Sequence, residues 1–586
     1  MRSGRRRRYR ATWCAAWLCI GGTLLPGTTA AQGVPGSVDP GRVPQRLQPP
    51  PAPRSSPDIA VPDIPGAVPP AAAEQIRFRL TRLVVEGSTV YSEEQLAPLY
   101  ADAVGKVVSL AVIYRIADSI TAKYRSDGYV LSRAVVPAQR IDEGVVHIRV
   151  VEGFVDGVVI QGKDNPTIRA YAEAIRRSRP LTAVDLERYL LLINDLPGLR
   201  ARGVLTPAPG VLGGSDLTII TTYKAADFTL DTDNRGSEFV GSLQAFAGAA
   251  LNDLSDRSDR VEGRFVTTPM EPEELRYGDL AYTIPVGADG LKLSLFVNAN
   301  ESLPGSTLNS DLIKTEASGT SATLRLSYPV LRSRSENLIV DGSFGLRQAI
   351  VDQYALPSHT KLISSYEDRI RAVRAGASYD IVDPWGGTNF LRVEVSRGLP
   401  ILDASEDGAM TGASRPGGRT EFTKLTVDAF RLQDLGAVAG GLQLLVAASG
   451  GWAVGDQLLA SEQFGVGGAP YGRGYDPSEL TGDYGAAGKV ELQYRFRVDP
   501  DPRWPELQAY GFYDVGVVTS EDPQALNQTD GTRTLASAGF GLRSRLTDWA
   551  SANLEIAKPL TRGVAADADS SDPKAARLYF GLSARF

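Results

Sequence analysis

From about residue 225 to Phe586, no stretch repeats its apolar residues every three or four positions; for 362 residues the chain reads in twos. In LKLSLFVNAN, Leu291, Leu293, Leu295, Val297 and Ala299 fall on one side, and Lys292, Ser294, Phe296, Asn298 and Asn300 on the other. In LYFGLSARF, Leu578, Phe580, Leu582, Ala584 and Phe586 oppose Tyr579, Gly581, Ser583 and Arg585. Successive side chains of a strand point to opposite faces, so the pattern predicts a large all-β region with one apolar and one polar surface. Two architectures fit it, a soluble sandwich and a closed membrane barrel. An export signal at the N-terminus, the length of the region and an aromatic last residue favour the barrel. In lipid every backbone group must be paired, which only helices and closed barrels achieve. Strands of about ten residues, alternating weakly between short connectors, are what such barrels look like in sequence.

One segment pulls the other way. Leu435 to Gly455 carries no charge over 21 residues, long enough for a membrane helix. Its six glycines and Gln443 lie within strand-patterned sequence, so it reads as barrel strands around a small-residue turn.

The export signal occupies residues 1–31. MRSGRRRRYR is basic, ATWCAAWLCIGGTLL apolar, and PGTTAAQ supplies small residues for cleavage near Ala30 or Ala31. Removing it takes away six arginines and no acid, moving the formal charge from −6 to −12. Both cysteines, Cys14 and Cys19, leave with it, so the mature chain has no thiol and no disulfide framework. Only His147 and His359 remain as histidines, which supplies a histidine triad or metal cluster poorly. Residues 32–75 form a Pro-rich linker, with one stretch, Asp39 to Gln48, able to make a turn or two of helix.

Between linker and all-β region the period changes. Residues 76–153 alternate strand-like pieces (IRFRLTRLVVEG, YVLSRAVVPAQ, GVVHIRVVEG) with helical ones (EEQLAPLYADAVG, SLAVIYRIADSITAKYRSDG). Leu110, Ile113, Ile116 and Ile120 share a helical stripe, and Asp127-Gly128 ends it. Residues 154–224 repeat the order, giving two tandem α+β modules.

The stretch GVGGAPYGRGY, Gly465 to Tyr475, has nearly the spacing of a phosphate-binding loop. Arg473 stands where the lysine belongs and Gly474 where the Ser/Thr magnesium ligand belongs, and no strand and helix frame it. Those departures, together with the export signal, argue against a nucleotide site.

These pieces together resemble the outer-membrane transporters of two-partner secretion (TpsB, the haemolysin secretion/activation type), within the Omp85 superfamily. The two modules are similar to POTRA domains, with VVPAQRIDEGVVHIRVVEG (Val135 to Gly153) like the closing strands of the first. DNRGSEFVG (Asp233 to Gly241) resembles the family's opening barrel strand, and LSYPVLRSRSENL (Leu326 to Leu338) another family segment. EQFGVGGAPYGRGYDPSELTGDYGAAGKVEL (Glu462 to Leu492) resembles the motif around the long sixth loop, and FYDVG (Phe512 to Gly516) the F-x-D-x-G strand motif. The resemblance implies two POTRA-like domains, at 76–153 and 154–224, and a barrel of about sixteen strands over 225–586. It implies export of a large β-helical adhesin or haemolysin without ATP, the partner being bound through the POTRA-like domains. Outer-membrane lipid and the barrel assembly machinery are further implied partners; nucleic acid, cofactor, metal and catalytic residues are not. An Omp85-type insertase shares the loop and strand motifs but normally carries more POTRA domains.

The resemblance also assigns a contact. Arg473 matches the arginine at the tip of a loop folded into the barrel, and Asp514 the aspartate on the facing wall. Gly472 and Gly474 let the backbone approach that wall, and Tyr475 stands at an aromatic position. Phe512 and Gly516 complete the strand motif. Many members have a β-branched residue where this chain has Gly472. Asp39 to Gln48 resembles the start of the family's plug helix, shortened by Pro44 and Pro49 to Pro51.

Overall fold

The computed structural model describes residues 35–47, 72–305, 308–362, 364–497, 506–521, 531–567 and 571–586. The export signal and most of the linker lie outside them.

Sixteen long strands close into an antiparallel barrel, from Ala226–Asp233 to Arg577–Arg585, with a two-residue extension at Thr360–Lys361. The alternation read from sequence sorts its side chains: Leu295, Val297, Leu578, Phe580 and Leu582 are exposed outward, while Ser294, Asn300 and Tyr579 are buried inward. Leu435 to Gly455 forms a turn followed by the strand Leu442–Ala453. Among the described residues, no helix is long and apolar enough to cross a membrane. The first and last strands meet at a seam of five registered pairs, from Asp233↔Gly581 to Thr229↔Arg585. Asp233 to Gly241 differs from expectation. The opening strand is Ala226–Asp233, and the Gly-rich residues beyond it form the connector to Gln244–Asn252.

The two modules share one topology. In the first, Val145–Val151 lies between a parallel Arg82–Glu86 and an antiparallel Arg133–Val135. Ile113, Ile116, Ile120 and Tyr124 of the helix Leu110–Ser126 pack against Val146, Ile148 and Val150. The other expected helix is one α-turn, Glu93–Leu96, followed by two 3-10 turns. Pro98 lacks the donor a longer helix needs there. In the second module, Gly214–Tyr223 lies between Phe154–Gln161 and Leu199–Pro207, covered by helices Pro166–Arg177 and Ala183–Asn194. Asn165 and Thr182 cap those helices, accepting from Ile168 N and Asp185 N at 3.0 and 3.1 Å.

The second module is bolted to three turns at one end of the barrel. Asp195, just past the helix Ala183–Asn194, receives Arg332 Nε and Nη2 at 2.8 and 2.9 Å, a planar two-point contact with Arg332 2% exposed. Arg188 donates to Pro329 O at 2.9 Å and Tyr189 to Asp289 at 3.2 Å. On the next turn, Lys163 Nζ meets Asp253 at 2.7 Å and Asn165 donates to Ser258 at 2.7 Å. Asp195→Ala leaves the Arg332 guanidinium buried without its partner, a change that costs about 3–5 kcal/mol at fully buried sites. The expected result is wider module-to-barrel distance distributions in spin-label measurements, with the barrel still folded.

Candidate functional site: a plugged lumen with an arginine at its centre

The barrel lumen is filled by two segments. The first is residues 35–47, with a single helical turn at Val43–Arg46 whose early position suits Pro44. Arg42 donates to Ala460 O and Gln463 O, both at 2.9 Å, and Gln45 to Ser461 O at 3.0 Å. Wall residues hold the rest: Asn300 donates to Pro40 O at 3.1 Å and Arg264 to Leu47 O at 2.6 Å.

The second is the connector between strands Leu442–Ala453 and Tyr484–Arg497, which turns back into the barrel. Phe464–Val466 and Leu480–Gly482 pair into a short hairpin that carries Arg473 inward. Arg473 Nε and Nη2 donate to the two oxygens of Asp514 at 3.0 and 2.8 Å, and its backbone N–H adds a third bond at 3.0 Å. Gly472 N–H donates to the same carboxylate at 3.2 Å. The remaining nitrogen, Nη1, meets Glu491 and lies 3.5 Å from Glu555. The Phe512 ring centre lies 3.5 Å from the guanidinium carbon. Phe512, Asp514 and Gly516 alternate on the lumen face of the strand Glu506–Thr519, which is why one short motif supplies both ring and carboxylate.

The neighbouring positions fit tightly. Gly472 has φ +99°, where a β-branched residue is strained, so the glycine here matches its backbone. A Cβ on Gly474 would stand 2.8 Å from Pro559 N, and one on Gly516 2.2 Å from Val466 Cγ1. Tyr475 is 1% exposed and its hydroxyl contacts Ala536 O and Arg562 O at 3.2 Å.

Sequence reasoning missed two acidic groups around this arginine, Glu491 and Glu555, and two further hubs. Glu491 also accepts from Arg543 at 2.7 Å, and Glu555 from Tyr510 at 2.8 Å and Arg235 at 3.0 Å. At the root of the loop, buried Glu462 receives Arg347 at 3.0 Å, Arg374 at 2.6 Å and Lys424, one from each of three wall strands. At the far mouth, Asp483 accepts four bonds from three loops: Arg415 Nη1 and Nη2 at 2.6 and 3.1 Å, Leu458 N at 2.8 Å and Glu521 N at 2.7 Å. Lumen-facing alternation was the one available signal for Glu491 and Glu555. Each of these carboxylates is buried and accepts on both oxygens, so the arrangement fastens segments to one another. Among the described residues, no cluster of metal-ligating side chains occurs.

The family model for haemolysin secretion/activation protein ShlB/FhaC/HecB matches residues 213–544, and the model for the ShlB-type POTRA domain matches residues 78–153. The heme/hemopexin transporter protein HuxB of Haemophilus influenzae (strain ATCC 51907 / DSM 11121 / KW20 / Rd) is 24% identical over 486 residues, 80% of this chain and 81% of that protein. The outer membrane transporter CdiB of Dickeya dadantii (strain 3937) is 25% identical over 433 residues, 71% of this chain and 72% of its own length. The solved structure of CdiB from Escherichia coli superposes with a TM-score of 0.71 at 20% identity, covering 89% of this chain and 92% of that one.

Proposed function

The chain belongs to the haemolysin secretion/activation protein (ShlB/FhaC/HecB) family, and from that premise we propose a route by which its partner is captured and passed through the barrel. Export of a partner protein across the outer membrane is the activity of this two-partner secretion family, with the barrel in that membrane and the POTRA modules in the periplasm. The partner proposed here is a single large β-helical exoprotein of the adhesin or haemolysin type. It arrives unfolded, crosses the lumen after residues 35–47 and the Arg473 loop give way, and folds outside, which supplies direction without ATP. The barrel assembly machinery inserts the transporter itself.

The observation that carries this reading is the contrast between blocked and open strand edges beside a plugged lumen. In the first module, the outward N–H of Ala134 is taken by Thr121 Oγ1 at 2.9 Å. In the second, Asn194 accepts from Ala201 N and donates to Ala201 O, both at 2.9 Å. Those contacts occupy the backbone of Ala134 on the edge Arg133–Val135 and of Ala201 on the edge Leu199–Pro207. Along Leu83 to Glu86 and Val155 to Ile160, the opposite edges, no side chain caps the backbone among the described residues. An unfolded chain can add there as an extra strand, gaining affinity from backbone bonds with little demand on its sequence. A photo-crosslinking residue at Val159 or Glu86 is expected to trap the partner during export, and one at Arg133 or Arg202, beside the capped positions, to trap little. Deleting the gene should remove one large exoprotein from the medium. General collapse of outer-membrane protein assembly would instead support an insertase.

A further inference from the structure

We propose that the lipid face of the barrel carries a site for one acyl chain of a periplasmic-leaflet phospholipid, at the seam between the first and last strands. A groove of about 530 Å³ opens there, inside the range of roughly 300–1,000 Å³ over which proteins hold small ligands. Leu230, Phe265, Leu546, Trp549 and Leu582 wall it, each about half exposed.

The register explains the hollow. Phe265 pairs with Ala247, Ala247 with Leu230, and Leu230 with Ala584, so bulky and one-carbon side chains alternate across the outward face. Elsewhere that face presents large residues such as Leu280, Leu324, Leu391 and Val395. The groove also sits where the wall is weakest in hydrogen bonding. The seam has five registered pairs, against eight between the first strand and Gln244–Asn252.

Position selects the occupant. Leu546 and Trp549 belong to the turn joining Thr532–Arg545 to Ala550–Pro559, at the same end of the barrel as the turns that hold the second module. That end is periplasmic, so the acyl chains level with the groove are those of phospholipids rather than of lipopolysaccharide. Trp549, stacked on Phe586 with ring centres 5.5 Å apart, lies at the interfacial level tryptophan prefers. The groove is continuous with the lipid-contacting surface. Its occupant is therefore already in the adjoining solvent, and the chain gains dispersion contacts on three sides instead of one.

The test uses the full chain in vesicles of phosphatidylethanolamine and phosphatidylglycerol doped with a phospholipid bearing a diazirine on one acyl chain. After irradiation, adducts are mapped by mass spectrometry. They should be several-fold denser on peptides containing Ala245–Ala247, Leu546–Trp549 and Leu582–Ala584 than on peptides from Gly387–Gly398. Ala247→Trp, which fills the hollow, should erase that excess, whereas Val395→Trp on the opposite side should keep it. Trp549→Ala removes one wall and should lower it. Retained heat-modifiable gel mobility identifies the folded variants. Even labelling around the barrel would overturn the proposal, as would seam labelling that survives Ala247→Trp or is displaced by unlabelled lipopolysaccharide. None of these outcomes depends on how the partner is exported.

Discussion

An Arg473→Ala barrel should insert into the outer membrane and migrate as a folded, heat-modifiable species, yet release at least tenfold less partner into the medium. The expectation follows from how many groups depend on one guanidinium. Asp514 takes two side-chain bonds from it, Glu491 a third, and Glu555 lies 3.5 Å from it, all of them almost fully buried. Removing the cation leaves these carboxylates facing one another, and breaking a buried pair costs about 3–5 kcal/mol. The sixteen-strand ladder does not carry that cost, because none of its backbone pairs involves the side chain. The cost falls on the hairpin, which loses its fixed seat at the wall. Arg473→Lys should fail almost as badly, since an ammonium cannot span both Asp514 oxygens while reaching Glu491. Asp514→Ala should copy the phenotype. Immunoblots of medium and outer-membrane fractions make the measurement, and normal secretion by Arg473→Ala would refute the role assigned to the contact.

What was legible in sequence, and what was not, follows from the range of each interaction. Period-two alternation is local, so the strands and their outward faces could be read from Leu291 to Ala299 and from Leu578 to Phe586 without knowing any neighbour. Arg473 and Asp514 were legible because two separate motifs resemble known ones. Glu491 stood near the end of the loop motif, but on a wall where many inward residues are acidic it looked like any lumen charge. Its importance arises from register: Glu491 stands opposite Phe512, and Lys489 opposite Asp514. Glu462 was visible only as the first letter of a motif, because Arg347, Arg374 and Lys424 come from three different strands. The clamp of the second module is hidden for the same reason, with Asp195 and Arg332 137 positions apart. Asp233 to Gly241 misled because a family-like segment was taken for a strand. Its glycines and Asn234 suit the bend that follows the strand better than the strand itself.

Asp483→Ala is expected to loosen the extracellular mouth, and with it the resting closure of the pore. One carboxylate there draws together the loop holding Arg415, the start of the folded-in connector at Leu458, and the loop beginning at Glu521. Asp483 and Arg415 are almost fully buried, so alanine leaves the guanidinium without its carboxylate and two backbone N–H groups without acceptors. Each orphaned donor costs about 1–3 kcal/mol, and loop ends regain those bonds most simply by moving out into water. Arg473 and Glu462 still hold the hairpin and its root, so the variant should continue to secrete. It should, however, show several-fold more frequent openings in planar bilayers and greater sensitivity of the cells to a large antibiotic such as vancomycin. Arg415→Met should behave less severely, because Asp483 then keeps its two backbone donors. If Asp483→Ala conducts like the parent, closure resides in the plug and the Arg473 loop alone, and the three-loop latch contributes only to the shape of the surface. The pair of variants thus separates two barriers in series: an outer one fastened by Asp483 and an inner one fastened by Arg473, with secretion sensitive to the second and leakage to the first.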